Sequence, residues 1–348
     1  MEQDYQKIIS KPLLKWWKIH GRKNLPWQKN PSLYKTWVSE IMLQQTQVKT
    51  VIDYFERFIK RFPYLKTLAE GNIDDVLFLW SGLGYYSRAR NLHLTANIIK
   101  DEFKGRFPRN FETLIALPGI GPSTAGAILS LSNIQSVPIL DGNVKRVLAR
   151  YFGVYGHYSK SAVNKKLWEL SALTTPKEDY AIYTQAIMDL GATICLPRNP
   201  NCKKCPCIID CFAYQEDLTD SLPTKKVSKE KKSVSENILI IKFEDGSFLL
   251  EKRHNDGIWG GLWSLPQLNI KEDPLIWCKN NLSNRVIISK KLEAIKHTFS
   301  HYHLNMHPTE INLEGKFTNP NKRIQSFKKS DINKLGLAAP IKKIINSL

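Results

Sequence analysis

Four thiols fall within a short stretch at Cys195, Cys202, Cys205 and Cys211, spaced Cys-x6-Cys-x2-Cys-x5-Cys. That spacing can wrap one compact inorganic centre. Structural zinc usually draws on two close ligand pairs, and only Cys202 and Cys205 form one. A 4Fe-4S cluster accepts four cysteines at uneven spacing and is the first reading; zinc and disulfides are the alternatives. Cys207 and Cys278 are left over, and Cys207 lies close enough to compete as a ligand. A second feature is Leu117-Pro-Gly-Ile-Gly-Pro-Ser-Thr-Ala-Gly-Ala-Ile128. Gly119 and Gly121 permit a tight turn with outward backbone N–H groups ahead of a helix, an arrangement that holds a phosphate without reading sequence. Asp141, in Leu140-Asp-Gly-Asn-Val-Lys-Arg146, stands where a helix N-cap is expected. A capping carboxylate is held rigidly and kept ionised. Glu40, Gln44 and Gln47 share one stripe if Trp37–Gln47 is helical, so a carboxylate and two amides are expected to line a cleft or a solvated face.

These groups need a scaffold, and the apolar spacing indicates one. From Pro12 to about Cys211 it is mostly helical, with Trp37, Ile41, Val48, Val51, Phe55 and Phe58 keeping a three-and-four rhythm. Further helices are predicted near 74–79, 89–102, 122–131, 144–152, 163–173 and 180–190. Residues 218–236 carry Lys225, Lys226, Lys229, Lys231 and Lys232 with little apolar content, which predicts a basic linker. After Asn237 the period moves towards two. Ile238–Phe243 and Phe248–Arg253 flank a hairpin turn, a helix is predicted at Pro274–Leu282, and strands at Val286–Ser289 and His297–Leu304. The expected organisation is a mainly α domain over 1–217 and a smaller α+β domain over 237–348.

Lys and Arg number 51 against 32 Asp and Glu, a net +19 that points to a polyanionic partner. No apolar run is long enough to span a membrane, and Met1–Ser10 lacks a signal-peptide pattern. A soluble, intracellular, cytoplasmic chain is expected, one that works as a monomer.

Taken in order, these motifs resemble the helix-hairpin-helix DNA glycosylases of the endonuclease III superfamily, and within them the adenine glycosylases of the MutY type. The likeness extends to Gly82-Leu-Gly-Tyr-Tyr-Ser-Arg-Ala-Arg-Asn91 and Lys296-His-Thr-Phe-Ser-His301. It implies a helix-hairpin-helix glycosylase fold with a 4Fe-4S loop, joined to a Nudix-like C-terminal domain that resembles that family at Trp259-Gly-Gly-Leu-Trp-Ser-Leu-Pro266. The implied function is base excision repair. The enzyme would hydrolyse the N-glycosidic bond of adenine mispaired with 8-oxoguanine or guanine in duplex DNA.

By the same resemblance Glu40 protonates the adenine ring and then activates water. Asp141 stabilises the oxocarbenium ion, as a bare charge or through a covalent sugar adduct. The chemistry agrees: an adenine anion leaves poorly until protonated, and a cationic sugar needs a fixed negative neighbour. Trp27, Leu43, Gln185 and Asn143 match positions at the adenine pocket. Gln45 and Tyr85 match residues that probe the base stack while the target is flipped out, with Gly119, Gly121, Ser123 and Lys145 in the DNA-contacting set. The related lyases carry a nucleophilic lysine where this chain has Ser123. Ser123 thus implies a monofunctional glycosylase, since a Schiff base requires an amine. Phe299, Ser300 and His301 match the loop that reads 8-oxoguanine. Residues 269–281 hold only Glu272 and Asp273 as acids, so the metal box of active Nudix hydrolases is missing, which implies recognition rather than hydrolysis.

Overall fold

The computed structural model describes residues 6–226, 230–282, 285–299, 301–315, 317 and 323–348. The chain divides into two compact units, Met1–Glu70 with Leu94–Val227, and Gly71–His93 with Ser228–Leu348.

The first unit is helical. Its elements are α1 (Lys11–His20), α2 (Leu33–Leu43), α3 (Val48–Arg61) and α4 (Leu65–Ala69). After α5 (Ile73–Trp80), which belongs to the second unit, come α6 (Ser87–Glu102), shared between the units, and α7 (Phe111–Ala116). Then follow α8 (Pro122–Leu131), α9 (Gly142–Tyr151), α10 (Ser161–Thr174), α11 (Tyr180–Thr193) and α12 (Phe212–Gln215). The apolar stripes read from sequence do meet: Leu13, Val144, Val147, Leu148, Leu167, Tyr183, Ile187 and Leu190 form one buried cluster across α1 and α9–α11. Such burial supplies most of the stability of helices this short. Helices α9 and α11 come so close that a Cβ at Gly191 would stand 2.6 Å from the Cβ of Asn143. Only glycine fits there, and the approach brings the start of α9 beside α11.

Two expectations about this unit need correcting. The unbroken helical stripe through Glu40, Gln44 and Gln47 does not exist: α2 ends at Leu43, and α3 begins only at Val48. Gln45 has a left-handed backbone, φ 57°, which ends the helix and turns the chain. Gly119 is also left-handed, φ 79°, as the tight turn requires. Gly121, by contrast, caps α8 in an extended conformation, φ −88°, that any residue could adopt.

The second unit is α+β. An eight-stranded sheet is built on β1 (Lys232–Phe243) and β7 (Tyr302–Leu313), which run parallel from Lys232↔Tyr302 to Phe243↔Leu313. β2 (Phe248–Lys252), β3 (Trp263–Ser264), β4 (Gln267–Asn269), β5 (Val286–Lys291), β6 (Ile295–Thr298) and β8 (Ile324–Phe327) complete it. The helices α13 (Pro274–Asn281), α14 (Lys329–Ile332) and α15 (Ala339–Asn346) accompany the sheet. Leu239, Ile241, Leu249, Leu268, Cys278 and Ile311 form its core. β1 begins inside the stretch predicted to be linker. The segment 71–93, predicted as part of the helical domain, groups with the sheet instead. It does so through an Asp74–Lys252 ion pair at 2.7 Å and bonds from Arg90 Nη1 to the Gly260 carbonyl and from Ser81 Oγ to the Leu337 carbonyl, each 2.6 Å. The single strand predicted at 297–304 is a hairpin: β6 and β7 pair antiparallel, His297↔Leu304 and Thr298↔His303, with Phe299 and His301 at the turn. Ser300 lies outside the described residues.

Candidate active site

In the helical unit, a cavity of about 440 Å³ is lined by Glu40 and Leu43 of α2, the Gln44–Thr46 turn, Gly121, Ser123 and Thr124 of the hairpin, and Asp141–Asn143. Trp27, Gln185, Met188 and Arg22 complete it. Both carboxylates singled out in the sequence therefore share one space, although 101 positions separate them (141 − 40). Trp27 is buried and set edge-on to Phe55, ring centroids 5.5 Å apart, which fixes its indole as a flat wall.

The two carboxyls have unlike surroundings. Burial, reinforced by the charge of Asp141, pushes the Glu40 carboxyl up from 4.5 to about 8. At neutral pH it carries its proton. Asp141 caps α9, its Oδ1 accepting from the Val144 N–H at 2.8 Å and its Oδ2 from Asn143 Nδ2 at 3.3 Å. Burial still raises Asp141 above the usual carboxylate value, since it outweighs the opposing bonds from Val144 and Asn143 and the charge of Arg146. That net direction differs from the depression that capping alone would cause. Asn143 is held in turn, its Oδ1 accepting from Arg146 Nη2 at 2.9 Å.

Of the predicted set, Glu40, Asp141, Trp27, Leu43, Gln185, Asn143, Gln45, Gly121 and Ser123 line this cavity. Ser123 has a structural duty as well, its Oγ accepting from the Leu140 N–H at 3.0 Å. Gly119 and Lys145 do not line it; the Lys145 ammonium lies over the Tyr158 ring, 5.1 Å from its centroid. Arg22, Thr124 and Met188 were not legible, because nothing in their local sequence marks them and only the packing of α1, α8 and α11 brings them in.

Tyr85 and the Phe299 turn line a different cavity, of about 420 Å³, in the α+β unit. Trp259, Arg90, His297 and His301 line it too. Trp259 is buried, and its ring contacts Phe299 and His297 at centroid distances of 5.4 and 5.8 Å. Phe299 stacks on Tyr302 at 4.8 Å. Trp259 and Tyr85 have left-handed backbones, φ 57° and 49°, as Gln45 does. Non-glycine residues rarely adopt that conformation and tend to be held there at functional sites.

Cys195, Cys202, Cys205 and Cys211 line one small cavity of about 30 Å³ with Arg150. The Arg150 guanidinium donates to Cys195 Sγ at 3.3 Å and to the Leu196 and Leu222 carbonyls at 2.7 and 2.8 Å. Cys207 is buried in the helical core instead, and Cys278 lies in the sheet core. Cys207 stays hydrogen-bonded to Cys205 all the same, so burial alone does not separate it from the four. None of the six cysteines is in a disulfide. Among the described residues no group of three or more His, Cys, Asp or Glu is arranged to hold a metal ion.

This helical scaffold with its hairpin and its paired carboxyls matches the model of the HhH-GPD superfamily of base excision DNA repair proteins over residues 38–172, and residues 237–347 match the NUDIX domain. Among solved structures, a thermostable thymine-DNA glycosylase is 28% identical with a TM-score of 0.55, covering 61% of this chain and 97% of its own. A non-covalent endonuclease III–DNA complex, at 20% identity, TM-score 0.52 and coverage of 63% and 99%, shares the fold. The adenine DNA glycosylase of Buchnera aphidicola subsp. Schizaphis graminum is 45% identical across 97% of this chain and 98% of its own length. The Homo sapiens adenine DNA glycosylase is 31% identical across 86% of this chain and 66% of its length. The chain belongs to the adenine DNA glycosylase family. No helix among the described residues is long and apolar enough to cross a membrane.

Proposed function

We propose that this protein excises adenine mispaired with 8-oxoguanine or guanine in duplex DNA, by hydrolysis and without cleaving the strand. The observation that carries the reading is the pair of carboxyls in one base-sized cavity, with Glu40 protonated at neutral pH and Asp141 anchored at a helix start. A flipped adenine enters against Trp27 and Leu43. Glu40 donates its proton to the purine ring, the N-glycosidic electron pair leaves with the base, and Asp141 faces the resulting oxocarbenium ion. The Glu40 carboxylate then takes a proton from water as its oxygen bonds to C1′. The products are free adenine and an abasic site. At position 123 a hydroxyl stands where a lyase needs an amine, so no Schiff base forms.

Gln45, on its strained turn, and Tyr85 are assigned to the flipped-out duplex, with Gly119, Gly121 and Lys145 contacting the backbone. Residues 237–348 form the recognition domain, with Phe299, Ser300 and His301 assigned to reading 8-oxoguanine. Asp273 is committed to capping α13, accepting from the Leu275 and Ile276 N–H groups, which supports recognition over hydrolysis. Cys195, Cys202, Cys205 and Cys211 would hold a 4Fe-4S cluster. The four thiols line one cavity, which supports a shared centre. Bound there, it would tie together the loop between α11 and α12.

The test is single-turnover incubation with duplexes carrying adenine opposite 8-oxoguanine, guanine, cytosine or thymine. Adenine release is expected from the first two, with strands intact until alkali is added. Equal release from all four, or none, overturns the reading.

A further inference from the structure

The buried face of α9 runs through Val144, Val147, Leu148 and Tyr151, so the helical repeat carries a phenol to the inner side of its last turn. Tyr151 is 6% exposed and sits in the same buried cluster as Cys207, with Cys195, Cys205 and Cys211 packed against that cluster. Phe152 stands edge-on to its ring, centroids 4.9 Å apart. The Tyr151 hydroxyl has no hydrogen-bond partner among the described residues. Two other donors at this loop are engaged. Arg150 is bonded to Cys195 Sγ and to two carbonyls. The Cys207 thiol lies 3.9 Å from the Ile9 carbonyl and is hydrogen-bonded to Cys205.

A buried hydroxyl without a partner is rare, because the hydration lost on burial is normally replaced by a bond. Burial raises the phenol's ionisation, and the charges of Cys207, Asp210, Cys211 and Cys205 raise it further, so the hydroxyl keeps its hydrogen. A donor is therefore held beside the cysteine loop with nothing in the protein to receive it. The orphaned hydroxyl fits what the four thiols would hold. A 4Fe-4S cluster presents negatively charged sulfurs, and hydrogen bonds to them are one of the levers that set its potential. We propose that Tyr151 donates a hydrogen bond to a sulfur of the bound cluster and thereby raises its reduction potential. The sign follows from charge. The reduced cluster carries one more negative charge than the oxidised one, so a donor stabilises it more. Tyr151 acts on the cluster and not on the base.

The inference rests on the cluster assignment, and its test separates the two. The midpoint potential of the cluster-loaded protein is read by film voltammetry for wild type, Tyr151→Phe, Phe152→Leu and a variant with 3-fluorotyrosine at position 151. Tyr151→Phe keeps the ring and removes the hydroxyl. Its potential should fall by about 59 mV, a tenfold change in a one-electron equilibrium. Fluorotyrosine, a stronger donor of nearly the same shape, should move the potential the other way. Phe152→Leu disturbs packing at the same place without removing a donor, and should keep the wild-type potential. A merely structural role for Tyr151 would leave the potential where it is. An unchanged potential in Tyr151→Phe overturns the inference, and so does a fall that Phe152→Leu reproduces. If Tyr151→Phe is recovered without its cluster, the fluorinated variant decides, and an unmoved potential there overturns the inference as well. A wild type without the visible absorbance of a 4Fe-4S cluster overturns the parent assignment instead.

Discussion

Replacing Glu40 by Gln removes one titrating proton and little else, so its consequences can be worked through. Burial and the charge of Asp141 raise the Glu40 carboxyl from 4.5 to about 8. The folded chain therefore keeps this proton over a range in which the unfolded chain has lost it. The folded state binds more protons, so stability falls as pH rises from about 4.5 through about 8. Between these limits proton affinity differs by about 3.5 decades, or roughly 5 kcal/mol at 1.36 kcal/mol per decade. Glu40 is only partly shielded from solvent, and about half of that figure, 2–3 kcal/mol, is the expected effect. Glu40→Gln should gain stability relative to wild type by about 2 kcal/mol between pH 5 and pH 9, read by urea unfolding. Excision should move the other way. Without the acid, single-turnover release of adenine should fall by about 10²–10⁴-fold, while duplex binding persists. In wild type the rate should decline as pH rises through about 8, as Glu40 loses its proton. Near wild-type excision by Glu40→Gln would refute the assignment. A wild-type rate that is flat through pH 9, with no growing stability gap, would refute the electrostatic account of the site.

Asp141→Asn should keep the cap to the Val144 N–H and cost within about 1 kcal/mol of stability, while excision falls at least about a hundredfold. Parallel loss of melting temperature would mark the residue as structural. Ser123→Lys removes the acceptor for the Leu140 N–H, costing about 1 kcal/mol, and supplies an amine that borohydride should trap on DNA. Wild type should not be trapped. Cys205→Ala should abolish the visible absorbance expected of a 4Fe-4S protein and lower the melting temperature; a colourless wild type carrying one zinc would decide against the cluster. His301→Ala should reduce the preference for 8-oxoguanine over guanine by about 1–3 kcal/mol, leaving release of a seated adenine nearly unchanged. Equal losses on both duplexes would indicate damage to the whole unit.

Local sequence determined whatever depends on spacing along the chain. The helices at 122–131 and 180–190, the cap at Asp141 and the hairpin turn at 244–247 were all legible, because each rests on contacts within a few residues. The spacing of the cysteine run was legible too, and its four thiols line one cavity. Tertiary structure decided the rest. Glu40 alone reads as a helix carboxylate; its raised proton affinity comes from burial beside a residue a hundred positions away. The break at Gln45 follows from a left-handed backbone that periodicity does not register, since Gln47 continues the polar stripe and Val48 the apolar one. The β6–β7 hairpin was hidden for the same reason: His297, Phe299 and His301 alternate like one strand, and only pairing across the sheet reveals the turn. Asp189 looks like any polar residue on α11. Its five donors arrive from residues 17, 22 and 185, and burial turns an ordinary carboxylate into a fixed acceptor. Spacing sets which groups a helix can offer, but dielectric surroundings and partners depend on what packs against it.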